Sequence, residues 1–330
     1  MNNAPWLWRH DRYSEYHDGL SSGMSRPGGQ RVTVTQPHGG PGGGPTALRM
    51  LLGAHLRRLR EAQGISRETA GWEIRASESK ISRMELGRVG FKERDVADLL
   101  KLYGLDDHEE RERLLALARE SNTPGWWHRD GDILPSWFQS YLGLEASASQ
   151  IRAYEVQFVP GLLQTADYAR AVINIGRAGN ARHEVERRVA LRMRRQELLT
   201  RKNAPVLWVV IDEAALRRPI GGPKVMADQI RSLMQSAKRR NVRIQVIPFV
   251  YGGHAAAGGP FSILRFPEPD LSDIVYVEQM TSALYLDKPD DVDQYQAMIE
   301  QLCFQAEPPA KTPQILAEIL HDFEAMGSGQ

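Results

Sequence analysis

Ser77, Ser79, Lys80 and Arg83 fall within one short stretch, S-E-S-K-I-S-R-M-E-L, whose spacing is that of a helix. Ile81 and Met84, three apart, turn one side of that helix inward and leave Ser79, Lys80 and Arg83 on the other side. The chemistry open to such a set is non-covalent. The planar fork of Arg83 fits the two acceptors of a guanine edge, and the compact ammonium of Lys80 suits a phosphate. Ser77 and Ser79 sit near the helix N-terminus, where the dipole is positive and anionic or base-edge acceptors are favoured. Glu78 repels phosphate unless it meets a cytosine amino group. A short polar and basic helix held by a two-point apolar grip is what insertion into a DNA major groove requires.

Other reactive side chains do not assemble into a recognisable pattern. The single cysteine, Cys303, lies in a helical pattern and reads as a buried apolar residue. The nine histidines are scattered, and no CxxC, HExxH or Asp-rich calcium loop is present. Asp212 and Glu213 look like a carboxylate pair, but adjacent strand residues face opposite ways, so a helix start is the better reading. His254 stands in the Gly-rich run Tyr251 to Pro260, which reads as a flexible hairpin connection. No catalytic residue, metal site or cofactor is expected, and an enzyme is the least expected class.

The elements that must position the short helix are legible around it. Ser66 is a good N-cap for a helix from Arg67 to about Ile74, and Ser77 for one from Glu78 to about Leu86, which Gly87 ends. Leu48, Leu51, Leu52, Leu56 and Leu59 give an amphipathic helix from about Thr46 to Gln63, ended by Gly64. Lys92 to Tyr103 forms a fourth, with Val96, Leu99, Leu100 and Tyr103 inward. Asp106 caps a fifth, Asp107 to Ser121. The expectation is an all-α five-helix unit over residues 46–121, preceded by a disordered Gly/Pro-rich tail over 1–45. A junction follows at 122–131, where Trp126 and Trp127 act as packing anchors.

Beyond the junction, residues 132–330 read as a mixed α+β domain. Pro135 to Leu144, Glu145 to Tyr154, Ala166 to Gly176 (capped by Thr165), Arg182 to Arg201, Lys224 to Arg240, Asp290 to Gln305 and Thr312 to Met326 read as helices. Val206 to Ile211, Val242 to Phe249, Phe261 to Phe266 and Ile274 to Glu278 read as strands of a small, largely antiparallel sheet. The segment from Arg182 to Lys202 holds eight basic and three acidic residues. It reads first as a solvated helix face, then as a surface for an acidic partner, and last as a second DNA surface.

Ser66-Arg67 together with S-x-S-K-I-S-R-M-E-L-G from Ser77 to Gly87 resembles the lambda-repressor-like, xenobiotic-response-element (XRE) class of helix-turn-helix regulators. The resemblance implies that Arg67 opens the scaffold helix and contacts DNA. It implies that Glu78, Ser79, Lys80 and Arg83 face the duplex, and that Glu85 pairs with Arg60. Such a pair, if buried, is worth about 3–5 kcal/mol on loss of one partner, and under about 1 if exposed. The chain departs from that pattern at Ala70, Gly71 and Arg75, where the family often has leucine, alanine and glycine; Trp72 is expected to refill the lost volume. From about Trp126 to Leu320 the chain resembles the C-terminal domain of WhiJ-like or antitoxin-like actinobacterial regulators. That resemblance rests on Tyr154-Glu155, Val159-Pro160-Gly161-Leu162-Leu163-Gln164-Thr165, Tyr168-Ala169-Arg170, Arg194-Arg195-Gln196-Glu197-Leu198-Leu199, Ile211-Asp212-Glu213 and Ile244-Gln245-Val246-Ile247-Pro248. It implies a domain for protein association, with a small acidic partner protein as a frequent neighbour.

With 330 residues, 42% of them hydrophobic, the chain can build two domains with real cores. Its net charge of +1 supplies no global attraction for nucleic acid, so local charge must. Thr46 to Leu86 holds eight basic and five acidic residues, a modest excess. No basic stretch followed by an apolar run opens the sequence, and no apolar run approaches the ~20 residues of a membrane span, so a cytoplasmic, nucleoid-associated protein is expected. The leading expectation is a dimeric, sequence-specific binder of double-stranded DNA that regulates transcription. The alternatives are an antitoxin-like module that holds a small acidic protein, and a ligand-sensing regulator.

Overall fold

A computed structural model of the chain describes residues 45–175, 182–256, 258–267 and 271–328. The tail expected over 1–45 therefore lies, but for Pro45, outside the described residues. Five helices open the described chain: α1 (Pro45–Ala62), α2 (Arg67–Glu73), α3 (Glu78–Glu85), α4 (Glu93–Leu102) and α5 (His108–Ser121). The cap of α5 is Asp107, whose carboxylate accepts from Glu110 N at 2.9 Å, one residue later than the sequence implied. Leu52 and Leu56 of α1, Ile74, Ile81, Met84, Phe91, Val96, Leu99, Leu100, Tyr103 and Leu114 build one apolar core.

Departures from expectation sit in the last turn of α2 and in the turn that follows it. Trp72 fills no volume in that core, because it is 78% exposed. Gly71 is small for another reason: a Cβ there would come within 2.7 Å of the Ala76 carbonyl oxygen. Arg75 takes the left-handed conformation itself, with φ of 51°.

The junction docks firmly. Trp126 and Trp127, in a 3-10 turn over Trp126–Asp130, meet edge to face, and buried Trp127 packs with Ile133, Leu134, Leu142 and Leu191. Then come α6 (Ser136–Ser147), β1 (Gln150–Glu155), α7 (Ala166–Ile175), α8 (Arg182–Arg195), β2 (Val206–Asp212), α9 (Glu213–Arg217), α10 (Pro223–Ser236), β3 (Val242–Ile247), β4 (Phe261–Arg265), β5 (Ile274–Glu278), β6 (Ala283–Leu286), α11 (Pro289–Gln305) and α12 (Thr312–Ser328).

The strands form one six-stranded sheet in the order β3-β2-β1-β4-β5-β6. It is mixed rather than largely antiparallel: β1–β2 and β2–β3 are parallel, while β1–β4, β4–β5 and β5–β6 are antiparallel. The main correction is β1, which had read as the helix Glu145 to Tyr154. Local helix propensity there is overridden by pairing on both sides, to β2 and to β4. Ile151 and Ala153 face one core with Leu207, Val209, Ile211, Ile244, Val246, Leu264 and Ile274, under α6, α7, α10 and α12. Tyr154 faces the other with Val210, Ile263, Val275 and Val277, under Val292, Ile299 and Leu302 of α11. The outer edge of β3 is covered, since Glu307 N donates to Val246 O at 2.9 Å and Thr312 Oγ1 to Ile244 O at 2.6 Å.

Helix α1 belongs to both halves. Leu52 and Leu56 enter the helical core, whereas Ala47, one and a half turns earlier, is buried in the core beneath the sheet with Met50 packed against it. Gly143 of α6 permits this approach: a Cβ there would fall 2.5 Å from Thr46 Oγ1.

Candidate nucleic-acid interface

The short helix α3 is set by its own ends. Ser77 caps it, its hydroxyl accepting from Lys80 N at 3.2 Å, as Ser66 caps α2 by accepting from Thr69 N at 3.0 Å. Gly87 ends it with φ of 65°, and no other residue would serve, because a Cβ there would meet Met50 of α1 at 2.6 Å. Gly53 gives the second close contact, where a Cβ would lie 2.5 Å from Met84 O and 2.6 Å from Glu85 O. Ile81, Met84 and Glu85 are buried; Ser79 and Arg83 are exposed on the opposite side.

Glu85 is the centre of the inward side. Its side chain is 3% exposed and accepts from Arg60 Nε at 2.5 Å, Arg60 Nη2 at 3.1 Å and Arg67 Nε at 3.0 Å. Arg60, 8% exposed at its side chain, also donates from Nη1 to Ile65 O at 2.8 Å. The hydrogen bond to Glu85 raises the Arg60 pKa against the opposing effect of burial. Burial, with Glu85 nearby, also pushes the Tyr103 phenol up. This cluster joins α1, α2 and α3 by charge-assisted bonds, which are stronger than neutral ones.

The residues singled out from the sequence divide accordingly. Ser77 is occupied as a cap. The Arg67 guanidinium rests on Glu85 with its side chain 37% exposed. The Lys80 ammonium lies 2.8 Å from Asp95 Oδ2, a carboxylate only 7% exposed on the first turn of α4. Ser79 and Arg83 remain outward, with Arg83 Nε donating back to Ser79 O at 3.3 Å. Sequence reasoning missed Asp95, Gly53 and the exposed Arg75 and Arg88 that flank α3. Only Arg75 gave a signal, by standing where a tight turn calls for glycine.

The other polar residues singled out from the sequence are largely engaged in structure. Four arginines of the basic run in α8 are engaged within the chain, while Arg182 and Arg194 are exposed. Arg187 pairs with Asp132 at 2.7 Å, Arg188 with Glu184 at 2.9 Å and Arg195 with Glu145 at 2.6 Å, while Arg192 donates to Gln164 at 2.8 Å. Asp212 caps α9, accepting from Ala214 N at 2.8 Å, and Glu213 binds Arg217 and the backbone N–H of Phe249. The Gly-rich segment is a crossover rather than a hairpin, because β3 and β4 are not neighbours. It carries His254 Nε2 to 3.1 Å from Tyr154 Oη and 3.3 Å from Asp212 Oδ2. Cys303 is partly buried, and burial pushes its thiol pKa up, away from nucleophilic character. Among the described residues no group of three or more His, Cys, Asp or Glu side chains is placed to hold a metal ion, and no helix is long and apolar enough to cross a membrane.

Comparison with known proteins gives two family matches. A model described as a helix-turn-helix domain matches residues 51–114, which span most of α1 to α5. A model described as a domain of unknown function (DUF5753) matches residues 138–318, from α6 into α12. No curated protein and no solved structure matches the chain.

Proposed function

From the premise that this chain belongs to the DUF5753 family and carries a helix-turn-helix domain ahead of that region, we propose that it is a sequence-specific DNA-binding transcriptional regulator of the XRE type. One observation carries the reading. Helix α3 keeps its charged and apolar anchors on the inside, through Glu85, Ile81 and Met84, and leaves Ser79 and Arg83 outward. That is the arrangement a major-groove reader needs: a fixed rod with donors on the free side. Arg83 is the base-reading residue, and Ser79 contacts a base edge or phosphate near the helix N-terminus. Ser77 acts through its cap, and Arg67 contacts a phosphate from the edge of the Glu85 cluster. Lys80 acts mainly through Asp95.

Two copies act together in this reading, each on one half-site about one helical turn apart, because a single weakly basic unit lacks the affinity. The C-terminal half is WhiJ-like or antitoxin-like and supplies the pairing and the control by a partner. In support, β6 has a neighbouring strand on one side only among the described strands. The function is binding, not catalysis.

The test begins with duplexes selected by the full chain from a random pool. Anisotropy titration of Arg83→Ala against the best duplex should show a loss of roughly 1–3 kcal/mol, and relaxed preference at one base step. Unchanged affinity and preference would remove Arg83 from the interface.

A further inference from the structure

Other cations near α3 already have carboxylate partners: Arg60 pairs with Glu85 and Glu61, Arg67 shares Glu85, and Lys80 pairs with Asp95. Two exposed arginines next to the helix are not. Arg75 stands two residues before the cap Ser77, and Arg88 directly follows Gly87. Neither guanidinium has a hydrogen-bond or ion-pair partner among the described residues.

Both backbones are fixed even though the side chains are free. Arg75 N donates to Trp72 O at 3.1 Å and Ala76 N to Gly71 O at 2.8 Å, which locks the turn. Arg88 N donates to Arg83 O at 2.8 Å, which closes the end of α3. Arg75 is also the one non-glycine residue with positive φ among the described residues. That conformation disfavours any side chain with a Cβ and is the ordinary place for glycine. A strained backbone that persists with a long cationic side chain points to a use for that side chain.

Geometry says what the use is. The eight residues of α3 rise about 12 Å from end to end, and the major groove is about 12 Å wide. Laid across the groove, a rod of that length puts a cation near each wall while Ser79 and Arg83 face its floor. We propose that Arg75 and Arg88 form a phosphate clamp that brackets the recognition helix, one arginine on each strand of the duplex. The inference rests on the DNA-binding reading above. Sequence-independent affinity then comes from residues that flank α3, and discrimination from residues on it.

The experiment uses the full chain and the duplex selected by the wild type, titrated over a range of salt. Arg75→Gly should bind about three- to tenfold more weakly at low salt, with the slope of log affinity against log salt reduced by about 1. Arg88→Gln should do the same, and the double variant should lose about 2 in slope. Arg75→Gly relieves the left-handed backbone, so its melting temperature should not fall, and misfolding cannot account for its loss of binding. Arg75→Lys, which keeps the charge, should keep most of the slope. Base preference should be unchanged in all of these variants. If the wild type binds and Arg75→Gly and Arg88→Gln keep its affinity and slope, the clamp is wrong while the DNA-binding reading stands. If the wild type retains no duplex from the pool, the DNA-binding reading fails and the clamp falls with it.

Discussion

At the scale of single residues, Glu155 at the end of β1 makes a prediction that does not involve DNA. Burial, with Glu278 as a like-charged neighbour, pushes its carboxyl up to about 8 from the ordinary 4.5, against the opposing pull of Arg195 and Arg192. The folded chain therefore holds this proton more tightly than the unfolded chain. The resulting stabilisation is complete below pH ~4.5 and is lost as pH rises towards about 8. Urea denaturation at pH 6 and pH 9 should show the wild type losing more stability than Glu155→Gln over that interval; equal losses would show that Glu155 does not titrate there. Residue-level reading of the sequence succeeded where the cause is local. Ser66 and Ser77 are caps because a hydroxyl ahead of a helix has free N–H groups within reach. It stopped at Lys80, because the partner Asp95 is fifteen residues on and arrives only through the packing of α4.

Among elements, α3 is held as much by the absence of side chains as by their presence. Gly53 lets α1 approach the last turn of α3 at backbone distance. Gly53→Ala should drive the two helices apart, lower stability by about 1–3 kcal/mol and weaken operator binding, as read by thermal melting and anisotropy on one preparation. An alanine variant that melts and binds like the wild type would show that the contact is loose. Apolar periodicity located α1, but a close backbone crossing leaves no periodic trace, so the role of Gly53 was not legible. The same limit explains the strands. Val206 to Ile211 and Ile274 to Glu278 announce themselves by β-branched composition. Gln150 to Glu155 does not, and β6, only four residues long, offers too little pattern to be seen. Both are strands because neighbours pair with them.

For the whole molecule, the notable feature is that α1 takes part in two cores, Leu52 and Leu56 in one and Ala47 in the other. The five helices and the sheet should accordingly unfold together. Tryptophan fluorescence, to which Trp126, Trp127, Trp137 and Trp208 contribute beyond the five helices, and helical circular dichroism should give one coincident denaturation midpoint. Two separated midpoints would show that the shared helix couples the halves weakly. The division into a helical part and a mixed α+β part was legible, because periodicity changes from helical to alternating along the chain. The sharing of one helix was not, because Thr46 to Gln63 reads as an ordinary amphipathic rod whichever surface it meets. The shared helix also bears on engineering. A chimera that exchanges operator preference by splicing at residues 122–131 would bring Thr46, Ala47 and Met50 from one parent against Gly143 and its neighbours from the other. Transplanting the reading head therefore means carrying its seat along with it, and the seam belongs inside α1 rather than at the tryptophans.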